Sequence, residues 1–421
     1  MIRILSVFLF LAAAVSADVV KVGVPDGKEI LKCGTVGTFR ISVMGKNGKF
    51  INTGVVICRL FDDHFKLLSE KKFELAKGNP IEVCHTLNEP GFLKCSAVYG
   101  KKRAAAVIGY DPYEIKASQI KPDDFEEFWK TEKEAALKIP LDVKLEKLAR
   151  LSNKKYTGYA VDFANVNGTR MYGYLSIPTA SGVHPAGILL PGMGPGFAGI
   201  PDEYDRSTTI VLALNVHPVF MGGPDKFREN YKKFIKEEHY YFHGLPELRK
   251  YVFCRVMLGI CRGVKMLRER PEWNGTHLAV SGTSQGGGLT IAAAALNAEY
   301  VTAAAVTVPA FGEMVDGVRP ASNRWQKVRT RAGGKEIVPY IDAVNFTPLI
   351  RCPMIWSVGF LDESCYPRTV FASYNRLKSE KSIWIGPRMT HASSKEYASY
   401  RRAWLKQQLS KPLSGQGDAG K

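Results

Sequence analysis

The chain has 421 residues, 45% of them apolar and 23% charged, with a net charge of +18 at pH 7. That apolar fraction suffices for packed cores and excludes a disordered chain. The positive charge is spread out, with no Lys/Arg block interleaved with aromatics, so nucleic acid is not an expected partner and a solvated surface is.

Residues 1–17 read as an export signal. Arg3 is a short positive region, Ile4 to Val15 is apolar, and Val15-Ser16-Ala17 offers small residues for cleavage. The apolar run is too short to span a bilayer and nothing later is a better candidate, so no stable membrane insertion is expected. The mature chain is expected to start near Asp18 and to be periplasmic or secreted; an N-terminal anchor helix is the alternative.

The remaining length suits two domains. Residues 18–115 are expected to form an immunoglobulin-like β-sandwich, 116–411 a catalytic domain, and 412–421 a flexible tail. Of the eight cysteines, Cys33, Cys58, Cys84 and Cys95 fall in the first domain. In an exported protein they could pair in any of three connectivities. Cys254 and Cys261 stand about 10 Å apart along a predicted helix, too far to bond. No Cys/His cluster has metal-ligand spacing, so no metal is expected.

In the first domain Phe39, Ile41 and Val43 alternate with polar or exposed positions, the period of a half-buried strand. Asn47-Gly48 reads as the hairpin turn to the next run, Gly54 to Leu60. Further strands are predicted at Ile81 to Thr86, Phe92 to Tyr99 and Arg103 to Ile108, with Asn88-Glu89-Pro90-Gly91 as a turn. This domain carries no catalytic constellation.

Asp111 to Pro122 is the boundary. Asp123-Asp124-Phe125-Glu126 predicts a capping box at the start of a helix over Phe125 to Leu137, with Phe128 and Trp129 toward the core. Two alternating strands meet at Asn167-Gly168 as an antiparallel hairpin. Then short apolar runs alternate with helical segments: Ala186 to Leu190, Thr209 to Leu214, Leu278 to Ser281, Ala303 to Val308, Met354 to Val358 and Ile383 to Ile385. Leu245 to Arg270 is the longest amphipathic helix. This pattern means a mainly parallel sheet covered on both faces.

The stretch from His277 to Ala294 is strand, sharp turn and Ala-rich helix, with G-x-S-x-G from Gly282 to Gly286. Glycines flank Ser284 because strand and helix backbones close in there, and the hydroxyl is left exposed at the strand end. With the preceding hairpin this is the α/β-hydrolase arrangement, whose triad runs Ser, acid, His along the chain. His391 alone among the histidines follows Ser284, so the base is forced. Acids sit at the carboxyl ends of strands, and Asp362 follows the strand Met354 to Val358 closely; Glu363 is its rival. The oxyanion needs two backbone donors. They are assigned to Gln285, after the nucleophile, and to Met193 in the loop Pro191-Gly192-Met193-Gly194.

Four stretches carry a resemblance: Asp123 to Trp129, Gly282 to Gly288, Ser357 to Cys365, and Phe371-Ala372-Ser373-Tyr374-Asn375. Residues from about 115 to 405 resemble the acetyl xylan esterase and cephalosporin C deacetylase family, carbohydrate esterase family seven. The first domain, including Leu87-Asn88-Glu89-Pro90-Gly91-Phe92, is similar to the N-terminal module of exported members. The family's triad falls on Ser284, Asp362 and His391. The resemblance implies removal of acetyl groups from sugar hydroxyls through an acetyl-serine, with acetylated oligosaccharide or polysaccharide as substrate and no cofactor. Family members form ring-like homo-oligomers, which the added β domain could block. Two departures stand out: Pro191-Gly192-Met193-Gly194 replaces the family's usual His-Gly-Tyr-Gly, and Thr390 stands where Gly is common. Phe197, Met193, His217 and Trp356 are possible pocket residues, with core packing or an idle loop the plainer reading of each. The other functions to weigh are a serine peptidase of the same fold and an inactive carbohydrate-binding protein.

Overall fold

The computed structural model describes residues 19–118, 121–220, 224–236, 238–314 and 323–412. The export signal read at 1–17 and positions 413–421 of the tail lie outside them. The chain packs as two compact units, Met1–Asp111 and Pro112–Lys421. The division falls slightly before the expected one after residue 115, for a local reason. The Asn375 amide donates to the carbonyls of Pro112 and Ile115 at 3.0 and 2.8 Å, and Tyr113 meets Phe371 edge-on. Residues 112–115 are thereby part of the second unit.

The first unit has strands β1 Val19–Gly23, β2 Ile30–Leu31, β3 Gly37–Met44, β4 Val55–Phe61, β5 Leu67–Glu74, β6 Ile81–His85, β7 Gly91–Tyr99 and β8 Lys102–Tyr110. They form two sheets, in the orders β1-β3-β6 and β2-β8-β7-β4-β5. Phe39, Ile41 and Val43 of one sheet share a core with Val56, Leu60, Leu93 and Ile108 of the other. The Asn47-Gly48 turn does not join paired strands as expected. It closes only a bridge between Met44 and Phe50, after which the chain crosses to the other sheet. Asn79 clamps the crossing, accepting from Val43 N–H and donating to the Val43 and Ile51 carbonyls. Strand β5 escaped the sequence pattern because it is a charged edge strand without a buried face. All the cysteines of this unit are free thiols, with the Cys58 and Cys95 sulfurs 3.5 Å apart.

The second unit holds β9 Lys144–Lys147, β10 Tyr156–Ala164, β11 Arg170–Pro178, β12 His184–Leu190, β13 Ile210–Leu214, β14 Trp273–Thr283, β15 Ala303–Thr307, β16 Met354–Gly359 and β17 Lys381–Gly386. One sheet takes the order β17-β16-β15-β14-β12-β13-β11-β10-β9. Strands β12 to β17 are parallel, and β9 to β11 add an antiparallel edge. Strands β13 and β15 are buried at every position, the signature of a sheet covered on both faces. The helices are α1 Phe125–Lys138, α2 Pro224–Phe234, α3 Val252–Arg268, α4 Gln285–Leu296, α5 Asn323–Thr330, α6 Gly334–Ile341, α7 Ala343–Phe346, α8 Pro367–Arg376 and α9 Lys395–Leu409. This is the α/β-hydrolase fold that the sequence pattern implied.

Two helix starts differ from expectation. The capping box at α1 is not formed: Asp124 makes no side-chain cap and accepts instead from the Tyr340 hydroxyl. Helix α3 begins at Val252 rather than Leu245, because Gly244, at φ 88°, turns the chain and packs on the Lys250 backbone. From α3 the buried Arg262 donates to the carbonyls of Ala136, Ile139 and Pro140, satisfying the end of α1. Among the described residues no helix is long and apolar enough to cross a membrane.

Candidate active site

Strand β14 runs into α4 through Ser284, whose backbone sits at φ 59°, ψ −120°. Residues with a side chain rarely adopt this conformation, so surrounding bonds must hold it. The Ser284 N–H donates to the Thr307 carbonyl at 2.9 Å, and its own carbonyl accepts from Gly288 and Ala310 at 3.1 and 2.9 Å. The flanking glycines are required by space. A Cβ on Gly282 would strike the Gly286 backbone, one on Gly286 would strike the Leu190 carbonyl, and one on Gly287 would come within 2.8 Å of Pro309 Cα. Gly286→Ala is therefore expected to cost about 3 kcal/mol or more, the upper end of overpacking costs. A fall in the urea midpoint at unchanged m-value measures it.

The three residues predicted from far-apart positions meet at the carboxyl ends of β14, β16 and β17. The Ser284 Oγ lies 2.9 Å from His391 Nε2, and His391 Nδ1 lies 2.8 Å from Asp362 Oδ2. Asp362 has a fully buried side chain, while the imidazole is 32% exposed on the solvent side. The other carboxylate oxygen, Oδ1, accepts from the backbone N–H groups of Ser364 and Cys365 at 2.7 and 2.9 Å. With Nδ1–H donating to Asp362, Nε2 presents a lone pair to the serine hydroxyl. Glu363 is exposed; the carboxylate against the ring is that of Asp362. The two loops are tied backbone to backbone, Leu361 N–H to the Met389 carbonyl at 3.0 Å and Phe360 N–H to the Gly386 carbonyl at 3.1 Å. Thr390, in place of the family's common Gly, is exposed and leaves this tie intact.

The Gln285 N–H is the first of α4 and has no acceptor within the helix. Met193 follows β12, which pairs with β14 up to Leu190 opposite Gly282. A Cβ on Gly192 would stand 3.6 Å from the Thr283 carbonyl, so this loop borders the serine turn. Trp356 is wholly buried in β16 and stacks edge-on with Tyr374, a packing role, and Phe197 is half-buried against the core.

Sequence reasoning named His217 only as a possible pocket residue and missed the clamps behind this loop. The Asn215 side chain accepts from Phe197 N–H and donates to its carbonyl, and His217 Nε2 lies 2.8 Å from the Gly194 carbonyl. A carbonyl only accepts, so His217 carries its proton on Nε2. Burial drives this imidazole down to about 4, leaving it neutral in ordinary buffers. The Tyr240 hydroxyl, beside the His217 ring, donates to Gln285 Oε1 at 2.5 Å. The available signal was position: Asn215 and His217 follow β13 directly, at a strand carboxyl end.

His217→Ala is expected to lower kcat about tenfold to a hundredfold with KM nearly unchanged, since with Met193 assigned as an oxyanion donor a loosened loop loses less than a deleted donor. His217→Gln, which keeps an N–H, should recover much of it. The folded pKa of His217 is depressed, so its contribution to stability is present above the unfolded value near 6.5. It is lost as pH falls toward 4. Thermal unfolding of His217→Gln should show a flatter slope across that window.

Cys365 also went unnoticed. It is buried beside the Ser284, His391 and Asp362 side chains, and burial pushes its thiol well above the usual range, so Ser284 is the better-placed nucleophile. A separate cavity of about 680 Å³, lined by Tyr156, Asp202, Arg206, Arg402 and Lys406 among others, contains none of these residues.

Comparison with known proteins identifies the family. Residues 111–409 match the acetyl xylan esterase family. The acetyl esterase Axe7A of Xylanibacter ruminicola is 28% identical over 358 residues, covering 82% of this chain and 81% of that protein. Among solved structures, acetyl xylan esterase 1 from Thermoanaerobacterium sp. aligns with a TM-score of 0.61 and 21% identity, over 71% of this chain and 98% of that one. The acetyl xylan esterase from Paenibacillus sp. R4 aligns with a TM-score of 0.61 and 20% identity, over 70% and 98%. The match spans the whole second unit as far as the end of α9, and on that ground the chain belongs to the acetyl xylan esterase family, whose members are carboxylic ester hydrolases.

Proposed function

We propose that this protein is a serine esterase that removes O-acetyl groups from acetylated xylo-oligosaccharides or related glycans. The observation that carries this reading is the unbroken contact chain from Ser284 through His391 to Asp362, in a chain of this family. Ser284 Oγ attacks the acetyl carbonyl while His391 Nε2 takes its proton. The tetrahedral oxyanion is held by the N–H groups of Gln285 and Met193. His391 then gives its proton to the departing sugar oxygen, leaving an acetyl-serine. Water, deprotonated by the same imidazole, releases acetate and restores the serine. Asp362 keeps the ring in the tautomer that accepts at Nε2 and faces the imidazolium as it forms. No step calls on a metal or an organic cofactor.

The test is acetate release from acetylated xylo-oligosaccharides, set against other acetylated glycans and aminoacyl anilides. Acetate release from the sugars with no anilide cleavage is expected; peptide cleavage without acetate release would overturn the reading. The first unit serves here as a packing or spacer module of immunoglobulin-like type. Export follows from residues 1–17: N-terminal sequencing of protein recovered from periplasm or medium should begin near Asp18, and retention of Met1 in the cytoplasm would refute it.

A further inference from the structure

The acetyl-transfer reading gives Cys365 no step, yet its sulfur stands among the groups that reading uses. It is 2% exposed and sits on the same tight turn as Asp362, whose Oδ1 accepts its N–H. The Cys365 sulfur, an Asp362 carboxylate oxygen and a His391 ring nitrogen all lie within 4.8 Å of one another. Among the described residues they form the one such trio of His, Cys, Asp or Glu side chains. Local spacing hid it, because His391 arrives from the far side of β17.

We propose that Asp362, Cys365 and His391 form an inhibitory site for a thiophilic divalent cation of the zinc class. The inhibitory consequence rests on the esterase reading above; the binding does not. Sulfur, imidazole and carboxylate together suit zinc, cadmium or cobalt, and do not suit magnesium or calcium, which take oxygen ligands. The dimensions also fit. Zinc binds sulfur at about 2.3 Å and nitrogen or oxygen at about 2.1 Å, so tetrahedral ligands lie about 3.4–3.6 Å apart. A pair at the 4.8 Å limit has to close by about 1.2–1.4 Å, while the Asp362–His391 pair, at 2.8 Å, has to open. His391 can supply that movement, being 32% exposed on a loop, while Asp362 and Cys365 are fixed on one turn. A water completes the fourth position. On binding, metal–sulfur, metal–nitrogen and metal–oxygen bonds form. The thiol proton leaves to solvent; if Nδ1 is the ligand, the ring proton passes to Nε2 and the imidazole stays neutral. No electrons are transferred. A cation so placed breaks the Asp362–His391 hydrogen bond and withdraws the base from Ser284.

Cobalt(II) titration of the Ser284→Ala protein tests binding without any hydrolysis. One equivalent should raise a near-ultraviolet thiolate-to-cobalt band with tetrahedral visible bands, and Cys365→Ala in that background should lose the band. In active protein, zinc should inhibit para-nitrophenyl acetate hydrolysis while magnesium at equal concentration does not. Cys365→Ala, normalised to its own metal-free rate, should need at least about tenfold more zinc, since even outer-shell changes cost that much affinity. Cys365→Ser, nearly isosteric, serves if the alanine variant does not fold. A cobalt band that survives loss of Cys365, no band at all, or equal inhibition by magnesium would overturn the site. Failure of the esterase reading would appear as absent acetate release with the cobalt spectrum intact.

Discussion

Ser284→Ala is expected to lower kcat/KM for para-nitrophenyl acetate by about 10⁴-fold to 10⁶-fold, leaving only what a positioned oxyanion site contributes over water. Without Oγ the His391 Nε2 lone pair, 2.9 Å away, has only solvent to deprotonate. Binding should survive, because the backbone donors are untouched, so the loss falls in kcat. Folding should survive too, since the turn is held by backbone bonds to Thr307, Gly288 and Ala310 rather than by the hydroxyl. A companion variant separates strain from chemistry. Ser284→Gly, with no Cβ at φ 59°, should be equally inactive yet more stable than Ser284→Ala by about 1 kcal/mol. Near-wild-type activity in either folded variant would remove Ser284 from the mechanism.

Asp362→Asn should lower kcat by about 10⁴-fold with the fold unchanged. Asp362 Oδ1 accepts two backbone N–H groups, from Ser364 and Cys365. In the variant the amide oxygen must take that place, because an NH₂ group there would face two donors. The NH₂ is then turned toward His391 Nδ1, which has to accept. The ring proton moves to Nε2 and points at the Ser284 hydroxyl, so the base is blocked rather than merely weakened. Glu363→Gln is the internal control, expected within about threefold of wild type, because that carboxylate is exposed and the one bonded to His391 Nδ1 is that of Asp362. Loss of activity in Glu363→Gln with Asp362→Asn active would reverse the assignment of the acid.

Legibility differed by kind of evidence. Buried parallel strands announced themselves as short apolar runs, and all six such runs coincide with β12 to β17. The hairpin at Asn167-Gly168 was equally plain, since both residues take positive φ there. Edge strand β5 was not, because its charged side chains carry no alternation. Asn47-Gly48 misled for the opposite reason. It is a genuine tight turn, but the choice of partner strand is made by Asn79, which lies far along the chain and grips both sides of the crossing. The start of α1 shows the same competition, with Tyr340 taking the carboxylate that local rules assign to capping.

Chain order and local sterics were enough to propose Ser284, His391 and, over its rival Glu363, Asp362. Glycine spacing constrains the backbone at Ser284, and a single histidine follows it. Which carboxylate faces the ring, what braces the loop after β12 and where Cys365 lies were decided only when the loops after β12, β13, β16 and β17 met at the carboxyl ends of their strands. Hydrogen bonds such as His217 to Gly194 join residues whose separation in sequence bears no fixed relation to their separation in space. Periodicity describes a segment's own faces; the contacts between segments follow from packing.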